Sequence, residues 1–256
     1  YIFVNVLYFL MGDFKEISNR LLYYKRKDVQ TAIVESAQDR EVGLRFGSKG
    51  YGKRPDVLIY ESDVFASIKK GVTSFHVSEE RWSNPLNLDT NMNKKDLDEL
   101  RIGWDLVLDI DCPYWYYSKL TAYLFIKALK EHNIKSIGCK FSGNKGFHIS
   151  VPFEAFPETV NDIPVKHWFP DGPKRIALYL LDYISENLIK LNIDEVDFAG
   201  IHKTTIQEIS KISDKSREEL SSIRCLKCNS KIKNTSKTIE FICKNCGNRI
   251  VKKEET

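Results

Sequence analysis

The sequence predicts an α/β (α+β) fold with a small cysteine-bearing appendage, and three observations carry that expectation. Short apolar runs that read as strands interleave with segments of helical periodicity. The 256 residues include 42% hydrophobic and 12% aromatic side chains, enough for one sizeable core. Two C-x-x-C pairs stand together near the C-terminus, apart from the other cysteines.

Residues 14 to 36 read as one or two helices, with Ile17, Leu21 and Leu22, then Val29, Ile33 and Val34, at helical spacing. Arg40 to Phe46 alternates as a strand, and a glycine-rich connection runs from Gly47 to Pro55. A helix is expected over 62 to 70 and a strand over Thr73 to Val77. The Asn-rich stretch from Trp82 to Leu97 reads as a loop. Leu106 to Ile110 is a short buried strand, followed by a helix over Ser118 to His132 with Leu120, Leu124, Ala128 and Leu129 on one face. Lys135 to Phe141 and Phe147 to Val151 read as two arms of a hairpin. Asp171-Gly-Pro opens a long helix that aligns Ile176, Leu180, Ile184, Leu188 and Leu191. A charged segment from Lys203 to Ser222, expected to be helical, leads into the cysteine module. The expected organisation is an apolar extension over 1–13, a core over 14–222 and the module over 223–252.

The first eleven residues are apolar but too short to cross a bilayer, and they lack the basic start and cleavage pattern of a signal peptide. Met11, directly before a polar helix-like segment, is the expected native start. Nothing else is long and apolar enough for a membrane span, so a soluble, cytoplasmic protein is expected. A net charge of +4 permits nucleic acid without demanding it. Basic residues gather at Lys49 to Arg54 and from Lys227 to Lys253, where a phosphate backbone could be tracked. An ordinary solvated face is the other reading of such runs.

The chemistry concentrates in the middle of the chain. Asp109 and Asp111 alternate on one strand, so period-2 geometry places both carboxylates on the same face. Each disfavours ionisation of the other unless a cation sits between them, and a hard dication such as Mg²⁺ or Mn²⁺ resolves the conflict. Downstream, Ser142-Gly-Asn-Lys-Gly-Phe-His148 supplies what a phosphate needs: a glycine turn, a hydroxyl, a lysine and a histidine. Either half alone is a common surface feature. Their joint occurrence, each at a strand boundary and separated by a helix, points to nucleotidyl transfer. No G-x-x-x-x-G-K-[ST] loop is present, which argues against a kinase-like site.

In these residues the chain resembles the catalytic (small) subunit of archaeal and eukaryotic DNA primase. That family carries an acidic D-x-D strand followed by an S-G-x-x-G-x-H hairpin, matched here by Asp109-Ile-Asp111 and Ser142 to His148. Arg40-Glu-Val is similar to the family's R-E-F segment, whose arginine lies near the nucleotide, and the strand Thr73 to Ser78 fits as well. The resemblance spans roughly residues 15 to 200. It implies a catalytic core with an RRM-like sheet, two-metal primer synthesis on single-stranded DNA from nucleoside triphosphates, and a primase large-subunit partner. On this reading Asp109 and Asp111 hold the metals. Ser142, Gly143, Asn144, Lys145 and His148 bind the triphosphate, with Arg40 a further candidate. The family often has arginine where Asn144 and Lys145 stand, so a bidentate fork is replaced here by a point charge.

The family also places a third metal carboxylate on a later strand, followed by a S-L-H-like segment. Asp194 and Asp197 are the acidic residues nearest a plausible strand, and both read as surface residues at the end of the long helix. The expectation is therefore a truncated or split catalytic subunit, with the third carboxylate beyond Thr256. Two other readings stay open: a primase-polymerase serving repair or a mobile element, and a non-catalytic nucleic-acid-binding protein.

Cys225-Leu-Lys-Cys228 and Cys243-Lys-Asn-Cys246 have the spacing of two zinc knuckles that share one tetrahedral Zn²⁺. Disulfides are the alternative, disfavoured in a reducing compartment. The segment Lys231 to Ile242 between them alternates as a hairpin would. Cys112 and Cys139 read as packing residues.

Overall fold

A computed structural model describes residues 15–192, 195–216, 220, 223–224, 231–232, 240–242, 245–247 and 249–251. The chain divides into two compact units: residues up to Leu108 with Ser150–Pro173, and Asp109–Ile149 with residues from Lys174 onward. The apolar stretch 1–11, with Met11, lies outside the described residues, as does Asp194.

In the first unit, helix α1 (15–25) is separated by Arg26 from α2 (Lys27–Ala37), the two-helix version of the expectation. Strand β1 (Val42–Arg45), helix α3 (Glu61–Lys69) and strand β2 (Ser74–Val77) follow. The antiparallel pair β1–β2 sets Val42 opposite Val77 and Leu44 opposite Phe75. Alternation turns Val42, Leu44 and Phe75 toward a cluster with Tyr24, Ile33, Val34, Ala37, Leu58 and Val64. Burial of these side chains is what holds two short strands against two helices.

Strand β3 (Glu80–Trp82), helix α4 (Lys94–Leu100) and strand β4 (Arg101–Trp104) follow, and the first turn of α4 falls within the end of the stretch Trp82 to Leu97 expected to be a loop. Asn93 caps α4: its Oδ1 accepts from the amides of Lys95 at 2.9 Å and Asp96 at 3.1 Å. The helix fully buries no residue, and its apolar side chains are only the partly buried Leu97 and Leu100, too few to read as an amphipathic stripe. β3 and β4 pair antiparallel, setting Glu80 opposite Trp104. The Trp104 ring is buried against Phe153, Phe156 and Phe169, and its indole N–H donates to Val165 O at 2.9 Å.

Strand β5 (Leu106–Ile110) leads into helix α5 (Trp115–Glu131), then strands β6 (Gly138–Phe141) and β7 (Phe147–Val151). These three strands form one sheet in the order β5-β7-β6. A small antiparallel pair, β8 (Thr159–Val160) and β9 (Ile163–Pro164), precedes helix α6 (Asp171–Tyr183).

In the second unit, α5 buries Leu120, Leu124, Phe125, Ala128 and Leu129. A π-helical turn, Ile184–Leu188, follows α6 with Ile184 and Leu188 buried. The long helix stops there, earlier than its periodicity suggests. Strand β10 (Ile189–Asn192) pairs with β11 (Glu195–Phe198), which pairs with β12 (His202–Thr205), all antiparallel. Leu191, expected on the helix face, stands on β10 and is 58% exposed. Once Ile189 pairs with Phe198, ladder hydrogen bonds replace helical ones and the i+3 spacing of Leu191 loses meaning. Asp197 therefore belongs to a strand and not to a helix end; its Oδ1 accepts from Gly200 N at 2.7 Å across the β11–β12 turn.

Helix α7 (Ile206–Ser213) occupies only part of the helix expected over Lys203 to Ser222, and Asp214 ends it in the left-handed conformation. Thr205 and Glu208 form its capping box. Further along, β13 (Ile223–Arg224) pairs with β14 (Lys231–Ile232), and β15 (Glu240–Ile242) pairs with β16 (Arg249–Val251). The antiparallel pairs thus flank each C-x-x-C separately. A single hairpin over 231–242 is not among the pairings of the described residues. The alternation that suggested it is met equally by strands that pair outward across each cysteine pair.

Candidate active site

Burial along β5 alternates: Leu106, Leu108 and Ile110 are inside, while Asp109 and then Asp111 are exposed. The apolar face anchors the strand, and the same pleat delivers both aspartates to solvent on one side. No lysine or arginine pairs with either carboxylate among the described residues. The one partner is His148 of β7, whose Nε2 lies 3.4 Å from Asp109 Oδ1.

The turn from Ser142 to Gly146 joins β6 to β7 and sits on the end of the acidic strand. Gly146 is the contact point. A Cβ there would lie 1.8 Å from Ile110 O and 3.5 Å from Asp111 Cα, so only glycine admits this approach. Gly143, at φ +94, supplies the reversal. Ser142 closes the turn twice: its amide donates to Gly146 O at 2.9 Å, and its Oγ accepts from Gly146 N at 3.1 Å. The Gly146 amide is consequently used within the turn. The hydroxyl proton of Ser142 remains able to donate, and Gly143, Asn144 and Lys145 are all exposed on the turn.

An aromatic bracket holds the base of the hairpin. Trp115, the first residue of α5, has its ring 5.3 Å from Phe141 and 5.3 Å from Phe147, which flank the turn. The Trp115–Phe141 pair is edge-to-face and the Trp115–Phe147 pair tilted at 31°, and together they fix where the two strands diverge. Sequence reasoning passed over these rings; the aromatic on each side of S-G-x-x-G was the available signal.

Arg40 lies in the other compact unit. Its guanidinium donates to Ser78 O at 2.8 Å and Glu79 O at 3.1 Å and pairs with Asp105. Asp105 is shared with Arg81, which also pairs with Glu154. These partners make Arg40 a strut that ties the start of β1 to the β2–β3 connection.

Cys225, Cys228 and Cys243 lie outside the described residues; Cys246 is partly buried in a turn over 245–246. Among the described residues no group of three or more His, Cys, Asp or Glu side chains is placed to hold a metal. Four thiolates on two C-x-x-C steps, each flanked by an antiparallel strand pair, suit tetrahedral zinc. Asp109 and Asp111 offer exposed oxygen donors for which no ammonium or guanidinium competes among the described residues, the donor type that Mg²⁺ or Mn²⁺ takes. Neither the scan of protein-family models nor the search of curated proteins finds a match to this chain.

Proposed function

We propose that this chain is a primase-type nucleotidyltransferase, a catalytic subunit that makes short primers on single-stranded DNA from nucleoside triphosphates. One observation supports the reading above the rest. The two exposed aspartates and the Ser142–His148 turn, distant in sequence, meet at Gly146 on Ile110 and at His148 beside Asp109.

In this assignment the exposed turn receives the triphosphate. The Ser142 hydroxyl, the amides over Gly143 to Lys145 and the Lys145 ammonium face phosphate oxygens. His148 stands beside Asp109, where its ring N–H donates to a phosphate oxygen. The 3′-oxygen of the growing strand bonds to the α-phosphorus as the bond to the pyrophosphate oxygen breaks, and the hydroxyl proton passes to solvent. Asp109 and Asp111 would hold Mg²⁺ or Mn²⁺, which supplies charge neutralisation and hydroxyl acidification when bound. Zinc on Cys225, Cys228, Cys243 and Cys246 serves as a structural clip, and a large subunit is the expected partner. The test is primer synthesis by the full chain, with and without a large subunit, on a single-stranded template. Template-dependent product that disappears in Asp109→Asn/Asp111→Asn supports the reading; product that survives in that variant contradicts it.

A further inference from the structure

The β1–β2 ribbon of the first unit has a second face that the core does not use. While Val42, Leu44 and Phe75 turn inward, alternation sends Gly43, Arg45 and His76 outward. Tyr51 folds back over this outer face through a bridge between Arg45 and Tyr51. Its ring lies 3.1 Å from the position a Gly43 Cβ would take, so the missing side chain makes the seat for the ring. The His76 ring meets Tyr51 edge-on at 5.2 Å, and the Arg45 guanidinium stands 5.8 Å from the Tyr51 centroid. Ser74 Oγ contacts His76 Nε2 at 3.0 Å, which fixes the imidazole. Even with these neighbours Tyr51 is 48% exposed.

The charge around the platform has one sign. Arg45, Lys49 and Lys53 are exposed, and no carboxylate pairs with any of them among the described residues. Arg54, beside them, is balanced by the buried Glu41. A preorganised aromatic ring amid unpaired cations on an open sheet face has the chemistry that recognises a single nucleic-acid strand. One base stacks on the ring while the phosphates on either side meet the cations. A protein partner would be expected to cover apolar area, and here the exposed groups are polar or charged except for the ring.

We infer that the outer face of β1–β2, with Tyr51 as stacking platform and Arg45, Lys49 and Lys53 as phosphate contacts, binds single-stranded nucleic acid. The choice of occupant rests on the nucleotidyl-transfer reading; the surface belongs to the first unit and contains no residue of the candidate active site.

The experiment is fluorescence anisotropy of a labelled mixed-sequence DNA oligonucleotide with the full chain, beside metal-dependent nucleoside triphosphate binding. Tyr51→Ala is expected to weaken oligonucleotide binding about tenfold, and Tyr51→Phe to retain it. Lys49→Ala/Lys53→Ala is expected to flatten the salt dependence. All three should leave triphosphate binding unchanged. Oligonucleotide affinity that is the same in Tyr51→Ala as in the unaltered chain, or absent from both, overturns the inference. Loss of triphosphate binding in Asp109→Asn/Asp111→Asn with oligonucleotide binding intact supports separate surfaces. A failure to bind triphosphate in every form, with the Tyr51 effect present, sinks only the catalytic reading.

Discussion

Gly146 carries no side chain because Ile110 O occupies the space one would fill. Alanine there must push the turn off the acidic strand, so Gly146→Ala is expected to cost about 1–3 kcal/mol, the usual range for overpacking. Chemical denaturation measures it, and triphosphate binding should fall in the same variant because the turn and the aspartates separate. Arg40 makes the opposite kind of claim. Its side chain is 11% exposed, and its removal leaves Ser78 O and Glu79 O without these donors while Asp105 keeps Arg81 as a partner. Arg40→Ala is expected to destabilise the fold by about 1–3 kcal/mol, the range for leaving buried acceptors unpaired, with triphosphate affinity unchanged under conditions where the protein stays folded. A loss of affinity without a loss of stability would favour a nucleotide-binding role for Arg40.

At the scale of elements, legibility followed burial. β5 and α5 announced themselves because Leu106, Leu108 and Ile110, and then Leu120, Leu124, Ala128 and Leu129, are buried and keep a regular period along each element. α4 did not, because it fully buries no residue and is held by a cap and surface pairs such as Lys94–Asp98 and Lys95–Glu99. The cue was Asn93 followed by Asp96, a capping box without an apolar run behind it. Asn93→Ala is expected to cost about 1 kcal/mol, read as a lowered melting temperature. An unchanged melting temperature would mean that contacts other than the cap hold α4. The end of α6 was misread for a different reason: Leu191 keeps the helical spacing, but strand pairing of Ile189 with Phe198 decides the backbone. Of the candidate site, the sequence disclosed the acidic pair, the turn and the histidine. The Trp115 bracket and the internal use of the Gly146 amide depend on contacts between distant segments, which no local pattern records.

Over the whole molecule, each of the two compact units carries its own chemistry: an acidic strand under a glycine turn in one, a basic aromatic sheet face in the other. Among the described residues no helix is long and apolar enough to cross a membrane. The central claim is that the exposed carboxylates of β5 and the turn above them form one metal-dependent triphosphate site. Isothermal titration of a non-hydrolysable nucleoside triphosphate into the full chain tests it most directly, with Mg²⁺ or Mn²⁺ and then with chelator. Binding that requires the metal and is lost in Asp109→Asn/Asp111→Asn is the predicted result; metal-independent binding, or binding undiminished in that variant, would contradict it.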